Sequence, residues 1–339
     1  MTTNLKPYSI SVVITCYNQA EYITECITSA LTQSFGRPYE VIVINDGSTD
    51  RSIDHIGRFS EVKCLDLSIN RGALGALLAG LEVVTGEIVV MLDGDDLMSK
   101  DRLEIIYDLM NNHPEVDVIL HDYEWIDSSG EKILPNSTSM NRARLGSQLR
   151  MDPRVRLDFG PGAYMSFRFH LEDVKKINQL VSGVELPKLL YQDSVLGYWL
   201  AVNRPCFLWT PSVLYLRRVH TTNSGSSTDI YSLKKSVQRG LETLKLCCEI
   251  LQGDDGMFER RKKVFFRYQR QMYIFELYRG KLWNASKRLL WLFNNSCTGK
   301  SIVFSEIIRF IVVSTFGMRV FFWLKTSHVL KFFRFSRLR

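Results

Sequence analysis

The chain has 339 residues, of which 45% are hydrophobic and 23% charged, with 43 Lys and Arg against 36 Asp and Glu. This composition excludes a disordered or collagen-like protein, and the length allows a sizeable core together with a second structural unit. The net charge of +7 conceals an asymmetry, because residues 258–339 carry 18 basic and 3 acidic residues, a net of +15. The rest of the chain therefore has a net charge of −8.

The seven cysteines are odd in number and lack the close paired spacing of a zinc site. Secreted disulfide frameworks use even counts at regular spacings, so this pattern favours a reducing compartment. The apolar run Ile10–Tyr17 is short and follows a single lysine, which does not fit a secretory signal peptide. We therefore expect a cytoplasmic protein.

The first third of the chain alternates β-branched runs of strand length with stretches of helical periodicity. Such alternation, with nearly continuous apolar strands, predicts an α/β domain with a mostly parallel, Rossmann-like sheet and helices on both faces. The predicted strands are Ser9–Thr15, Glu40–Ile44, Glu61–Leu67 and Glu87–Leu92, and the predicted helices are Ala20–Leu31, Asp50–Arg58, Gly72–Val84 and Asp101–Asn111.

The middle of the chain is polar and irregular from Ser128 to about Asp158, which predicts loops or an insertion at the edge of the sheet. Periodicity returns with a predicted helix at Ser194–Val202, followed by strand-like stretches at Cys206–Thr210 and Val213–Val219. Long helical patterns follow. The sequence therefore predicts two domains, residues 1–228 and a C-terminal basic, aromatic helical region at residues 229–339.

Polar residues follow three of the predicted strands, as Thr15–Asn18, Asn45–Asp50 and Asp93–Asp96. Ligands of open α/β sheets bind beyond the carboxyl ends of the strands, so these loops converge on one edge. Three carboxylates within four residues repel one another, and a hard cation such as Mg²⁺ or Mn²⁺ would relieve that repulsion while binding substrate phosphates. A solvated turn is the other interpretation of an Asp-Gly-Asp sequence.

Six short motifs occur in order along the chain: Val12–Asn18, Val43–Asp50, Asn70–Gly72, Leu92–Asp96, Gln192-Asp193 and Arg218–His220. Each motif is weak by itself. Their order and spacing together resemble the family 2 glycosyltransferases, whose nucleotide-sugar-binding fold is called GT-A. The resemblance runs from about Ser9 to Ser224, roughly two thirds of the chain.

The resemblance implies a binding site for a nucleoside-diphosphate sugar. Asp46 would accept a hydrogen bond from the base, although a strand-terminating turn also suits this position. Asp95 would coordinate Mn²⁺ or Mg²⁺ between the two phosphates, and His220 would help to bind the metal or the diphosphate. The nucleotide-sugar-binding residues implied in this way are Thr15, Tyr17, Asn18, Asp46, Asn70, Asp93 and Gly94.

Asp193 is the catalytic base that the resemblance implies, since it would deprotonate the acceptor hydroxyl as that hydroxyl attacks the anomeric carbon. A helix N-cap is the alternative role for this residue. Three positions depart from the family pattern, because Gln192 replaces a usual Glu and Leu77-Leu78 replaces a usual Arg-Asn pair.

Aromatic faces stack on sugar rings, so Tyr164 and Trp125 are the acceptor-side candidates. Three further polar residues have two open interpretations each. Asp96 is either part of the metal loop or a cap for the following helix. Arg217 and Arg218 are either phosphate contacts or solvated surface arginines.

The basic region combines cations with aromatic residues, which favours interfacial helices on an anionic membrane surface. Ordinary helices that pack on the catalytic domain are an equal alternative. Residues 302–324 approach spanning length but contain Glu306, Arg309 and Arg319, so we do not expect a transmembrane helix. No nucleic acid is expected as a partner, because no recognised module accompanies the charge.

The sequence thus predicts an inverting, metal-dependent enzyme at the inner face of the plasma membrane. It would move a sugar from a nucleoside-diphosphate sugar, expected to be a UDP-sugar, to a hydroxyl of a glycan or lipid-linked oligosaccharide in cell-surface polysaccharide synthesis. The alternatives are a sugar-phosphate nucleotidyltransferase and a non-catalytic GT-A-like interaction protein.

Overall fold

In the computed structural model the chain forms two compact units, residues 1–223 and 224–339. The sequence places the boundary between its two domains a few residues later, at 228–229. The structure describes residues 9–133, 149–151, 165–186, 193–204, 206–220, 240–241, 243–250, 307 and 310 and, with short gaps, 264–294.

A ten-stranded sheet organises the first unit. Its main path runs in the order β3-β2-β1-β4-β9-β6-β10-β5, and β7 pairs with β6 while β8 pairs with β10. The strands are β1 (Ile10–Cys16), β2 (Tyr39–Asp46), β3 (Val62–Leu67), β4 (Ile88–Asp93), β5 (Leu97–Met98), β6 (Val118–Ile126), β7 (Lys132–Ile133), β8 (Leu149–Met151), β9 (Met165–Arg168) and β10 (Phe207–Arg218).

The half of the sheet built from β3, β2, β1 and β4 is parallel throughout. Successive residues of β1 and β4 are buried regardless of the face to which they point, so both faces of these strands are covered. This confirms the predicted α/β fold for the first third of the chain. The strand positions also agree with those predicted from β-branched runs.

The other half of the sheet differs from the predicted mostly parallel arrangement. β9 runs antiparallel between β4 and β6, whereas β6 and β10 are parallel to each other. β10 is one strand rather than the two stretches predicted around Pro211, and its pairing with β6 shifts register between Thr210 and Tyr215. Proline lacks the N–H that a regular ladder needs, which accounts for this irregularity.

Six helices with described bounds belong to the first unit, and a seventh belongs to the second. α3 is the most buried of the first four, because most of its residues are small or apolar and it packs against β1 and β2. The helices are α1 (Ile23–Leu31), α2 (Ser52–Ile56), α3 (Gly72–Leu81), α4 (Arg102–Asn112), α5 (Leu171–Leu180), α6 (Asp193–Asn203) and α7 (Leu282–Asn294).

The described residues of the second unit are helical or flank helices, as the periodicity of the basic region predicts. Within it, the Arg288 Nε of α7 pairs with the Glu276 carboxylate at 2.9 Å. No helix in the described parts of the chain is long and apolar enough to cross a bilayer. Residues 302–324 lie almost entirely outside the described residues.

Gly86 provides a test of how tightly the sheet is packed at the start of β4. A Cβ at this position would lie 2.6 Å from the Ser11 nitrogen and 2.7 Å from the Ile10 carbonyl carbon, and backbone atoms cannot move aside cheaply. We expect Gly86→Ala to lower the free energy of unfolding by about 1–3 kcal/mol. Urea denaturation measures this change.

Gly36 provides the control, since a Cβ there meets nothing within 4 Å. Gly36→Ala should change the free energy of unfolding by no more than about 0.5 kcal/mol. Equal unfolding midpoints for the two variants would contradict the close approach at Gly86.

Candidate active site

The carboxyl ends of β1, β2 and β4 bring three polar loops to one edge of the sheet. Thr15 in β1 lies opposite Asp93 in β4, so the loops after these strands begin side by side. The Gly94 N–H donates to the Thr15 carbonyl at 2.9 Å, which ties the two loops together. The expected convergence of the loops is therefore present in the structure.

Gly94 lies in a crowded position between the loops after β1 and β4. A Cβ at this position would overlap the Gln19 side-chain oxygen and would lie 3.0 Å from the Thr15 carbonyl oxygen and 3.2 Å from Ile23. The absence of a side chain thus lets the Asp93–Asp96 loop pack directly against the loop that follows β1.

Asn18 connects the loop after β1 with the loop after β2. It has a left-handed backbone, with φ of 53°, a conformation that asparagine tolerates better than most residues. Its side-chain oxygen accepts hydrogen bonds from the Thr49 N–H at 2.8 Å and the Asp50 N–H at 3.3 Å, and its own N–H donates to the Ser48 hydroxyl. The structure therefore places Asn18 as a clamp between loops and leaves the side chain of neighbouring Tyr17 exposed.

Asp46 ends β2 and fixes the loop that precedes α3. One carboxylate oxygen accepts a hydrogen bond from the Arg71 N–H at 2.6 Å, while the Asn70 side-chain oxygen accepts one from the Gly72 N–H at 3.1 Å. Burial raises the pKa of the Asp46 carboxyl, and the Arg71 and Gly72 N–H groups partly oppose that change. Gly47 permits the close approach, since a Cβ there would lie 2.8 Å from the Asn70 nitrogen.

Asp95 and His220 meet at this edge although they are far apart in sequence. His220 Nε2 lies 2.9 Å from an Asp95 carboxylate oxygen, and only 8% and 17% of the two side chains are exposed. The His220 ring also lies 4.8 Å from the Tyr22 ring. The pair offers one imidazole nitrogen and one carboxylate oxygen next to Asp93.

Asp96 is not the helix cap that one interpretation of the sequence suggests, because α4 begins later, with Asp101 at its N-cap. Asp96 is buried and accepts hydrogen bonds from the Tyr215 hydroxyl at 2.5 Å and the Arg218 N–H at 2.6 Å. Burial and the nearby carboxylates of Asp95 and Asp93 raise its pKa well above the usual range. Asp96 therefore joins the loop after β4 to β10.

Arg218 is fully buried and is neither a phosphate contact nor a solvated arginine. Its Nε donates to the Asp95 carbonyl at 2.9 Å, one terminal nitrogen donates to the Ser128 carbonyl at 3.0 Å, and the other pairs with Glu25 at 2.6 Å. The guanidinium also lies over the Tyr22 ring, 4.9 Å from its centre. We call Arg218 and these four partner residues the Arg218 clasp.

No sequence motif indicated a role at the site for Tyr22, Glu25 or Tyr215. Glu25 and Arg218 are separated by 193 positions, so no local motif connects them. The neighbouring Arg217 is exposed, and its guanidinium lies over the Trp125 ring at 5.0 Å. Only the register of β10 distinguishes the buried arginine from the exposed one.

The structure describes the positions of four of the remaining residues that the sequence singled out, and two others lie outside the described residues. Asp193 is the first residue of α6, which packs against α3. Leu77 and Leu78 are buried, so the positions where the family usually has Arg-Asn contribute here to the core. Trp125 lies on β6, in edge contact with Tyr123. Tyr164 and Gln192 lie outside the described residues.

Solved structures share this fold. The S. aureus protein TarS, residues 1–349 in complex with UDP-GlcNAc, superposes with a TM-score of 0.57 at 17% identity, over 79% of this chain and 73% of that one. Another structure of the same fragment gives a TM-score of 0.56. The fold is therefore the GT-A fold.

Sequence comparison shows which family the N-terminal half of the chain resembles. A model described as Glycosyl transferase family 2 matches residues 11–174. An uncharacterised glycosyltransferase of Nostoc sp. is 35% identical over 134 residues, which cover 38% of this chain and 41% of that protein. Glycosyltransferase GlyG of Streptococcus pneumoniae is 32% identical over 124 residues, 35% of this chain and 40% of the relative.

Residues 11–174 of the chain are therefore similar to glycosyl transferase family 2. The chain spans about two fifths of the length of these two curated relatives. A third relative, the poly-beta-1,6-N-acetyl-D-glucosamine synthase of Staphylococcus epidermidis, is 30% identical over 113 residues, 32% of this chain and 27% of that protein.

The two adjacent arginines offer a matched test of the Arg218 clasp. Arg218→Lys keeps the charge but cannot supply donors to the Asp95 carbonyl, the Ser128 carbonyl and Glu25 together. Because the cation at this buried position then loses hydrogen-bond partners, we expect the free energy of unfolding to fall by about 1–3 kcal/mol. Urea denaturation measures the loss.

Arg217→Lys is the control, because it makes the same substitution at the neighbouring, exposed arginine. It should change the free energy of unfolding by no more than about 0.5 kcal/mol. If both lysine variants unfolded at the same urea concentration as the original protein, the clasp would not stabilise the fold.

Proposed function

We propose that the protein is an inverting glycosyltransferase that moves a sugar from a UDP-sugar to a hydroxyl of a glycan or lipid-linked oligosaccharide in cell-surface polysaccharide synthesis. The observation that carries this proposal is the meeting of Asp95 and His220 beside the loops after β1, β2 and β4. The match of residues 11–174 to the family model supports the reaction class, and the UDP-GlcNAc complex of TarS supports the donor class.

The donor would lie along the edge formed by these loops. Tyr17 presents an exposed ring next to Thr15, which suits contact with the base or the ribose. Asp46 accepts a hydrogen bond from Arg71, and that bond fixes its carboxyl group beside Asn70 for recognition of the base. Asp93 would hold the ribose at the point where β4 ends.

Mn²⁺ or Mg²⁺ would be held by Asp95 and His220. Among the described residues, no group of three or more acidic, His or Cys side chains is arranged to bind a metal ion by itself. A carboxylate oxygen and an imidazole nitrogen fit a site that diphosphate oxygens complete. When bound, the cation neutralises the charge that develops on the departing nucleoside diphosphate.

Asp193 would act as the general base. It would take the proton of the acceptor hydroxyl while the hydroxyl oxygen bonds to the anomeric carbon and the bond from that carbon to the diphosphate breaks. Attack from the face opposite the diphosphate inverts the configuration. Trp125 and Tyr164 would contact the acceptor through their rings.

The proposal includes work at the inner face of the plasma membrane. Residues 258–339, with a net charge of +15, would meet an anionic surface there, where a lipid-linked acceptor is available.

Donor binding gives the first test. UDP with Mn²⁺ should raise the melting temperature, because a ligand at 100 times its dissociation constant adds about 2.7 kcal/mol to the free energy of unfolding. Asp95→Asn should abolish most of this rise, since it removes a charged metal ligand. Asp54→Asn is the control, because Asp54 lies in an exposed ion pair with Arg51 on α2.

The absence of stabilisation by any nucleotide or nucleotide sugar would contradict the proposal and favour the non-catalytic alternative. Release of pyrophosphate from UTP and a sugar phosphate would instead identify a nucleotidyltransferase. An unchanged UDP response of Asp95→Asn would contradict the proposed metal site alone.

Catalysis gives the second test. Asp193→Asn should lower kcat for UDP release about 10²- to 10⁴-fold and leave the UDP-induced thermal shift unchanged, because the proposed base acts on the acceptor. Glu172→Gln, in an exposed ion pair with Lys175 on α5, should behave like the original protein. Product NMR that shows retained anomeric configuration would contradict the single-displacement mechanism.

A further inference from the structure

One face of α7 exposes large apolar side chains beside a lysine. The side chains of Trp283 and Leu290 are 72% and 63% exposed. Lys287 lies between them in sequence, with its ammonium 4.9 Å from the centre of the Trp283 ring. Spacings of four and three residues place these three positions on the same side of a helix. We call Trp283, Lys287 and Leu290 the Trp283 face.

The opposite side of α7 is packed inside the second unit. Ala285 and Leu292 are fully buried. Arg288 donates to the Glu276 carboxylate at 2.9 Å and also to the Gln269 side chain. These contacts fix the rotation of the helix about its axis, so the Trp283 face is held outward by the packing behind it.

The charged side chains of α7 and of the residue before it are all basic. Lys281 and Lys287 are exposed, and α7 contains no acidic residue. The Trp283 face also belongs to the segment with a net charge of +15. Apolar groups that remain exposed in a fixed orientation mark an interaction surface, and the surrounding cations favour an anionic partner.

We propose that the Trp283 face docks on the surface of an anionic phospholipid bilayer. Trp283 and Leu290 enter the boundary between headgroups and acyl chains, and the lysine side chains extend to the lipid phosphates. This docking proposal rests on the membrane association in the proposed function and identifies its contact surface. The docking proposal is the same whichever sugar or acceptor the enzyme uses.

The same face is poorly suited to other occupants. Two copies of the chain related by a twofold axis would bring like charges together, which opposes self-association through this surface. A nucleic acid would satisfy the cations but would give Trp283 and Leu290 no apolar layer to enter. A bilayer satisfies both requirements.

Vesicle flotation of the full chain tests the proposal. We expect binding to vesicles of equimolar phosphatidylcholine and phosphatidylglycerol and little binding to phosphatidylcholine alone. The double variant Trp283→Ser/Leu290→Ser should bind at least about tenfold more weakly, because it removes both apolar groups. Lys287→Glu should also weaken binding, and the effect should shrink as salt screens the charge.

Leu171→Ser is the matched control, since Leu171 is an exposed leucine at the start of α5 in the first unit. It should float like the original protein. Urea denaturation should show unchanged stability for all variants, because the altered side chains of α7 are exposed.

A local readout identifies the residue that enters the lipid. Brominated phosphatidylcholine, mixed with phosphatidylglycerol, should quench part of the tryptophan emission of the original protein, and Trp283→Phe should lose that part while still binding. Trp283 is one of six tryptophans, so the comparison with Trp283→Phe is required.

Equal flotation of the double variant and the original protein would overturn the proposal, as would equal binding to neutral vesicles. A concentration-dependent dimer that the double variant abolishes would show a second copy of the chain as the occupant instead. The UDP-induced thermal shift uses no vesicles, so failure of membrane docking and failure of the glycosyltransferase proposal are separate results.

Discussion

The burial of the Arg218 guanidinium is the constraint on which the candidate site depends. A buried arginine is tolerated only when its donors are satisfied, and here they bind the Asp95 carbonyl, the Ser128 carbonyl and Glu25. Three segments far apart in sequence are thereby held around one cation. Because Arg218 donates a hydrogen bond to the main-chain carbonyl of Asp95, it also helps to position the Asp95 carboxylate.

Much of the parallel half of the sheet could be predicted from the sequence, because β1, β2 and β4 each contain a short run of consecutive apolar residues. A run such as Ile10–Cys16 is buried on both faces, and its apolar, β-branched residues show this directly. The loops after β1, β2 and β4 follow from the same argument, since parallel strands end at a common edge. The resemblance to family 2 glycosyltransferases assigned Asp95 and His220 to one site, and the structure places their side chains 2.9 Å apart.

The rest of the sheet could not be predicted from local patterns. β9 has four residues and β5 has two, too few to show a period. β6 begins with apolar residues but continues with His121, Asp122 and Glu124, which hides its strand character. The roles of Asp96 and Arg218 depend on partners more than 100 residues away, so a helix cap and a surface arginine were reasonable but wrong interpretations.

The antiparallel insertion of β9 between β4 and β6 has a consequence for how such a protein can diversify. Strands β3, β2, β1 and β4 carry the loops proposed for the nucleotide, whereas Trp125 belongs to a ladder beyond β9. Substitutions in that outer ladder can accumulate without altering the register of the inner one. Under the proposed function, acceptor preference could therefore change while the loops proposed for the nucleotide stay constant, provided that Arg218 continues to bridge the two ladders.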